Sequence, residues 1–415
     1  MKIRVLAVLS AAVMMSGCVK TPDADKEGWR SSQKKEFLEI LKEDRYASIC
    51  GQQALYEKVK KTENSALMSK LLLEYTDNLA NSCIDLKNFQ AVQEAKKEKK
   101  IESHYAIYLQ KVDKTQIIAQ LKAGQTIENI LKPYVPATEQ FQKLLNTYHA
   151  LKEKEHVTPE QLRKLRLNVE RTKIMRPDLG EDYALVNIPE FKVRIKKGGQ
   201  TALKFAVVVG KKNLQTPVFA EPMQYITLNP QWGVPDSIAR NEIIPRVLKD
   251  PDYLARNNMV IRRDYNLDSP SVSLSDINLT AYKGGKGEVP FKFIEKPSKR
   301  NVLGRIKFIF PNHHAVYMHD TQAKSLFKRQ IRTFSHGCVR LEKPNDMLLY
   351  IANHFTDETK ESIIAKYNSL KTHHIPLKKK MMVHTAYLTS YVDQNGTVLM
   401  FNDIYGYDRD QRLDF

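Results

Sequence analysis

A chain of 415 residues with 42% hydrophobic content can bury a sizeable core, most simply in two domains, which excludes a disordered protein. Its formal net charge of +19 is spread along the whole length. That suits anionic surroundings such as a phospholipid surface or an acidic envelope polymer, although most charge of this kind is solvated lysine. No zinc-finger, helix-turn-helix or RNA-binding pattern accompanies it, so no nucleic-acid partner is expected.

The chain opens on a short positive start, Lys2 and Arg4, then an apolar run too short to span a bilayer, then Ser16-Gly17-Cys18. Residues 1–18 therefore read as a secretory signal. "MSGC" resembles a bacterial lipobox, which implies lipidation of Cys18 and a multi-chain membrane anchor, the alternative being an ordinary cysteine in a signal peptide cut nearby. Residues 19–30 serve as a polar tether. The resemblance implies attachment at the periplasmic face of a bacterial envelope. Val19 is not the aspartate that often marks inner-membrane retention, so the outer membrane is favoured.

Residues 31–178 carry helical periodicity, as in Leu67, Leu71, Leu72, Tyr75 and Leu79, and later Phe141, Leu144, Leu145 and Tyr148. The run "KKEKK" at 96–100 reads as a solvated helix face or connection. Thr158 and Pro159 open a further helix as N-cap and first-turn proline. Cys50 and Cys83 fall in this region; in an exported protein they are either a disulfide or two buried thiols.

After residue 178 the texture changes to short β-branched runs, "YALVNI", "FKVRI", "LKFAVVVG", "MQYITLN", "RIKFIF" and "AVYMH", with "KKGGQ" as a hairpin turn. Helices return in "NDMLLYIANHF" and "DETKESIIAKYNSL", and the last strands flank a turn at Gln394-Asn395-Gly396. Residues 237–300 contain one or two short helices and long polar stretches, either a lid over a site or a passive surface insertion. The fold class is thus α+β, a helical scaffold at 31–178 followed by a mostly β domain at 179–415.

Cys338 lies in "IRTFSHGCVRL". A cysteine becomes a nucleophile where a base or positive potential favours its thiolate and where donors can hold an oxyanion. Gly337 lets backbone amides approach a reacting carbonyl, His336 and Arg340 add polar or positive groups, and His319 ends an upstream strand as a suitable general base. Zinc is the competing reading, with His319, His336 and Cys338 as ligands and His313 or His314 nearby. The two-residue spacing of His336 and Cys338 on an extended turn, with no second ligand pair, argues against it. A structural cysteine is a further alternative.

"SHGCVR", preceded by "YMHDT" with fifteen residues between His319 and Ser335, resembles the active-site signature of the L,D-transpeptidases, whose catalytic domain is of the YkuD type. The segments "YALVNIPEFKVRI", "VVVGKKNLQTPVF", "YITLNPQWGVPDSIA", "EIIPRVLKDPDYLAR" and "NVLGRIKFIFPNHHAVYMHDT" follow in family order. The helices before them resemble the scaffold of the larger periplasmic branch. The resemblance implies a YkuD-type β-sandwich in which Cys338 is the nucleophile, His319 its general base and acid, and Asp320 the residue whose backbone carbonyl orients the imidazole. It also implies an oxyanion hole from the backbone amides of Gly337 and Cys338, with Ser335 and His336 shaping the turn. Arg340, where many members carry asparagine, is expected to support the site or bind a substrate carboxylate. Tyr317, Asn229 and Trp232 are candidate pocket walls or core residues.

The activity so implied is cleavage of the bond between the L-centre of a diamino acid and the terminal D-alanine of a peptidoglycan tetrapeptide, through a thioester, with transfer to an amine of another stem peptide in a 3-3 type cross-link. No cofactor or metal is required. Alternatives are an L,D-carboxypeptidase, attachment of a lipoprotein to peptidoglycan, and a wall-binding scaffold without catalysis. Two departures from the family pattern stand out: no small peptidoglycan-binding module is evident, and "EKPSKRNVLG" lacks the usual Pro-Gly before Asn301.

Overall fold

The computed structural model describes residues 24–413; Cys18, with its signal segment, lies outside the described residues. Eight helices come first: α1 (Ser31–Glu43), α2 (Gln53–Thr62), α3 (Ser65–Asn81), α4 (Leu86–Glu98), α5 (Lys114–Lys122), α6 (Ile127–Leu131), α7 (Glu139–Leu151) and α8 (Pro159–Lys173). Side-chain caps start several of them, Asn64 on the Leu67 amide of α3 and a capping box of Thr158 and Gln161 on α8. Their apolar stripes meet in one core containing Trp29, Phe37, Leu72, Tyr75, Phe141 and Leu145. Among the described residues no helix is long and apolar enough to cross a membrane.

The β part contains β1 (Tyr183–Asn187), β2 (Lys192–Lys197), β3 (Gln200–Gly210), β4 (Phe219–Leu228), β5 (Trp232–Gly233), β6 (Met259–Arg262), β7 (Lys292–Glu295), β8 (Ile306–Ile309), β9 (Met318–His319), β10 (Thr333–Ser335), β11 (Val339–Leu341), β12 (His373–Ala386), β13 (Ser390–Val392) and β14 (Val398–Met400). The main sheet runs β10-β3-β11-β9-β8-β4-β12-β1-β2, and β2 pairs again with β3, so the sandwich is closed along its edge into a ring. The Gly198-Gly199 turn makes that closure, both glycines having positive φ as the tight β2–β3 hairpin requires. Val193, Ile195, Val207, Phe308, Met318, Val339 and Leu341 fill the interior, together with Met347 and Ile351 of helix α12 (Pro344–Phe355). Helix α13 (Lys360–Asn368) follows α12.

The segment between β4 and β8 is a folded subdomain. Strands β5, β7 and β6 form a small sheet, and helices α9 (Asp236–Ile238), α10 (Ile244–Lys249) and α11 (Tyr253–Arg256) pack on it around Val234, Ile243, Ile244, Ile261, Val289 and Phe293.

The helical part and the β part are joined through α8. Residues Leu165–Lys173 are all buried, although the helix is rich in charge. Arg171 meets Asp408 of the last helix α14 (Tyr407–Asp410) at 2.7 Å, and Gln140 of α7 exchanges two hydrogen bonds with Val392 of β13. Lys96, read from sequence as part of a solvated run, is instead buried, 2.6 Å from Asp410 and over the Tyr407 ring. The run belongs to the end of α4, and only its lysines beyond 96 face solvent. Cys50 and Cys83 form a disulfide with Cα atoms 5.8 Å apart.

Candidate active site

Strand pairing puts one row of residues across six neighbouring strands. Val208 of β3 stands opposite Arg340 of β11, Arg340 opposite His319 of β9, His319 opposite Lys307 of β8, Lys307 opposite Thr227 of β4, and Thr227 opposite His374 of β12. Register partners share a face, and so do residues two apart along a strand. Tyr317, two before His319, and Cys338, two before Arg340, therefore join Arg340, His319 and Lys307 on the same face. The alternate residues Met318, Val339, Leu341 and Phe308 point into the apolar interior. Because β9 and β11 run parallel, the histidine and the cysteine, nineteen residues apart in sequence, are brought to one surface.

The turn before Cys338 is fixed from within. Ser335 is buried; its hydroxyl donates to the Cys338 carbonyl at 2.5 Å and accepts the Gly337 amide at 3.3 Å. Gly337 has φ +109°, a conformation that side-chain-bearing residues rarely adopt. The Thr216 hydroxyl donates to the Gly337 carbonyl at 2.7 Å while accepting the Gly210 amide, and the Tyr405 hydroxyl donates to the Gly210 carbonyl. Gly210 itself has no room for a Cβ, which would lie 2.1 Å from the Leu214 carbonyl oxygen. This geometry corrects one expectation: the Gly337 amide is engaged by Ser335, not free for an oxyanion. The Cys338 amide has no partner among the described residues and is the donor the turn leaves available.

Cys338 is partly exposed, yet its sulfur is ringed by protein atoms, and that desolvation raises the thiol above its ordinary value. The thiol itself meets the Ala315 carbonyl at 3.8 Å, and Tyr317, Lys307 and Arg340 oppose the effect of burial and favour the thiolate. Tyr317 accordingly belongs to the same face as Cys338, and its carbonyl accepts the amide of Val339, the residue after that cysteine. His319 is buried, and burial together with the charges of Arg340 and Lys307 lowers it to about 3, so it is a neutral imidazole at physiological pH. The backbone carbonyls of Asp320 and Leu303 favour its protonated form, although Nδ1 makes no hydrogen bond of good geometry. The Asp320 carboxylate is engaged elsewhere, accepting the amides of Arg305 and Thr321 and pairing with Lys324 at 2.6 Å.

Arg340 is half-buried with an unpartnered Nε, and burial depresses its guanidinium while Cys338 and Glu242 favour its charge. His336 is held over the turn by Glu242 of the inserted subdomain, Nε2 to Oε1 2.8 Å. His313 and His314 do not approach this group as ligands would. The His314 ring packs on His104 and Phe219, and no cluster of three His, Cys, Asp or Glu suited to a metal occurs among the described residues.

Of the residues open between pocket wall and core, two fall on the core side. Asn229 is buried with φ +47°, its amide donating to the carbonyls of Lys366, Tyr367 and Lys371 and its carbonyl accepting from Arg305. Trp232 is paired with Glu295 in the inserted subdomain and packs on that subdomain's core. Lys307 and Thr216 were not singled out from sequence. The signal for Lys307 is a charged residue in the middle of the alternating run "RIKFIF".

Residues 181–363 match the family of the L,D-transpeptidase catalytic domain, YkuD. A Haemophilus influenzae protein provisionally named an L,D-transpeptidase is 29% identical over 254 residues, covering 60% of this chain; the chain spans about half the length of that curated relative, 49%. Among solved structures, an L,D-transpeptidase from Mycobacterium smegmatis is 13% identical, covering 41% of this chain and 53% of its own, with a TM-score of 0.21. The Ldtfm-avibactam carbamoyl enzyme is 10% identical, covering 72% and 100%, also with a TM-score of 0.21. Superposition this weak adds nothing to the fold described above.

Proposed function

We propose, from the premise that residues 181–363 are a YkuD-type L,D-transpeptidase catalytic domain, that Cys338 and His319 carry acyl transfer on peptidoglycan stem peptides. The observation that supports this best is the shared face of Cys338, Tyr317, His319 and Arg340, set by the parallel β9–β11 register. The Cys338 thiolate attacks the carbonyl between the L-centre of a diamino acid and the terminal D-alanine. The developing oxyanion takes the Cys338 amide, a donor already fixed by the turn. Neutral His319 accepts the thiol proton as the substrate enters. An imidazolium buried between two cations is a ready acid, and it protonates the departing D-alanine amine. The thioester is then attacked by an amine of a second stem peptide, His319 taking that proton, to give a 3-3 type cross-link. Arg340, with its unpartnered Nε, is suited to a carboxylate of the donor. Lipidation at Cys18 would hold the enzyme at the periplasmic face, on the outer membrane in preference to the inner.

The test is intact-protein mass spectrometry with muropeptide tetrapeptides and product analysis, comparing wild type with Cys338→Ala. A Cys338-dependent acyl adduct with dimeric product is expected. D-alanine release with tripeptide alone would make the enzyme a carboxypeptidase, and an undiminished adduct on Cys338→Ala would sink the assignment.

A further inference from the structure

Lys307 is unlike the other enclosed lysines of this chain. Lys96 has Asp410, Lys173 has Glu170 and Lys196 has Glu139, each within 3.0 Å. Lys307, partly buried in the middle of β8, has no carboxylate at ion-pair distance among the described residues. Its ammonium lies 3.8 Å from the centroid of the Tyr317 ring, and Tyr317 adjoins the cysteine across the β9–β11 pair, its carbonyl accepting the Val339 amide at 3.1 Å. A desolvated cation without a counter-ion is costly, and the anion that would complete this one is a thiolate at Cys338.

We propose that Lys307 is a positioning residue for the nucleophile: its ammonium, seated on the Tyr317 ring, holds the Cys338 thiolate and orients the tyrosine beside it. The inference rests on the reading of Cys338 as the reactive thiol. The charged and titratable groups acting on the sulfur are Lys307 from β8, Tyr317 from β9 and Arg340 from β11; His319 shares their row on β9, and His336 with Glu242 stands at the turn before the cysteine. On the far side of Lys307, Thr227 engages His374 and supplies no charge to it. Burial lowers Lys307 and raises the Cys338 thiol, and against that each group favours the charged form of the other. Burial keeps His319 neutral in the resting enzyme, so the counter-charge to the thiolate comes from Lys307 with Arg340, not from an imidazolium.

The experiment is the pH dependence, from about pH 5 to 10, of Cys338 alkylation by iodoacetamide, read as mass on the Cys338 peptide. Alkylation reports thiol ionisation whether or not any stem peptide is turned over, so its outcome is separate from that of the D-alanine release assay. Lys307→Met and Lys307→Gln are both expected to move the midpoint up by about one unit, roughly a tenfold slower reaction at neutral pH. Lys307→Arg should restore most of the wild-type profile, and His319→Gln should leave it near wild type. An unchanged profile in whichever uncharged Lys307 variant folds would overturn the proposal. So would a shift in His319→Gln equal to that expected for Lys307→Met.

Discussion

Nε2 of His336 lies 2.8 Å from Oε1 of Glu242, joining the turn that carries Cys338 to the subdomain inserted between β4 and β8. The imidazole is held below its ordinary value by burial and by Lys211, so at neutral pH the contact is a neutral N–H donating to a carboxylate. Glu242 also faces Arg340 and Arg246. Removing the carboxylate in Glu242→Ala unfastens the subdomain from the turn. Alkylation of Cys338 by a bulky maleimide should then speed up several-fold relative to iodoacetamide, with thermal stability changed little, because the pair is partly exposed. Equal rates with both reagents in wild type and variant would show that the subdomain does not screen the thiol.

His319, flanked by Arg340 and Lys307 in the same cross-strand row, sets a second expectation. With its folded value near 3, its protonation cannot produce an acidic limb in the rate profile above about pH 4. The Cys338 thiol, raised by burial, governs instead. Acylation should therefore increase steadily with pH through the neutral and alkaline range. His319→Gln should reduce acylation by roughly 10²–10⁴-fold while leaving alkylation nearly unaffected. A limb near pH 6 that vanishes in His319→Gln would contradict the neutral, buried imidazole.

Acid should weaken the fold through two histidines of this kind. His319 and His384 are both buried and both lowered to about 3, each chiefly by burial. The unfolded chain binds their protons near the ordinary value of about 6.5, whereas the folded chain does not until about 3. Their contribution is complete above about pH 6.5 and is lost as pH falls from there toward 3. Replacing His384, whose Nδ1 has no partner, by Leu removes one of the two. Urea unfolding at pH 7 and pH 4.5 should show a smaller loss for His384→Leu than for wild type, by about 2 kcal/mol.

The α+β division and the tight turn before Cys338 were legible because each depends on local pattern: helical spacing, β-branched runs, and a glycine at the turn. Long-range features were not. The ring closure of β2 on β3 and the parallel pairing of β9 with β11 have no local signature. Lys307 reads in sequence as an ordinary charge, and only the register shows that it stands opposite His319. The sequence likewise left Asn229 open between pocket wall and core, and its burial answers that. In the fold its amide closes the carbonyls at the end of α13 and its backbone takes a left-handed turn. Asn229→Ala should consequently cost stability, about 1–3 kcal/mol from unsatisfied buried groups, with little direct effect on KM.

The disulfide between Cys50 and Cys83 sits against the buried charges of α8, and the same neighbourhood gives the last prediction. Arg166 reaches both sulfurs and the Ala47 carbonyl, Lys173 reaches Ala47 and Ser48, and Glu170 lies between them and accepts the Cys83 amide. Those charges are enclosed, so they depend on the Ala47–Cys50 segment staying in place to satisfy them. The bridge closes a loop with a sequence separation of 33 residues. By chain entropy, opening such a loop destabilises by about 3–4 kcal/mol. A larger loss is expected if the segment carrying Ala47 and Ser48 moves away and strands Lys173. Thermal melts of wild type and Cys83→Ser, with and without reductant, measure this: reductant should lower the wild-type Tm to near that of the variant and leave the variant unchanged. Because α8 also binds Asp408 and Thr389 of the β part through Arg171, the loss should appear as one cooperative transition and not as early melting of the helices alone.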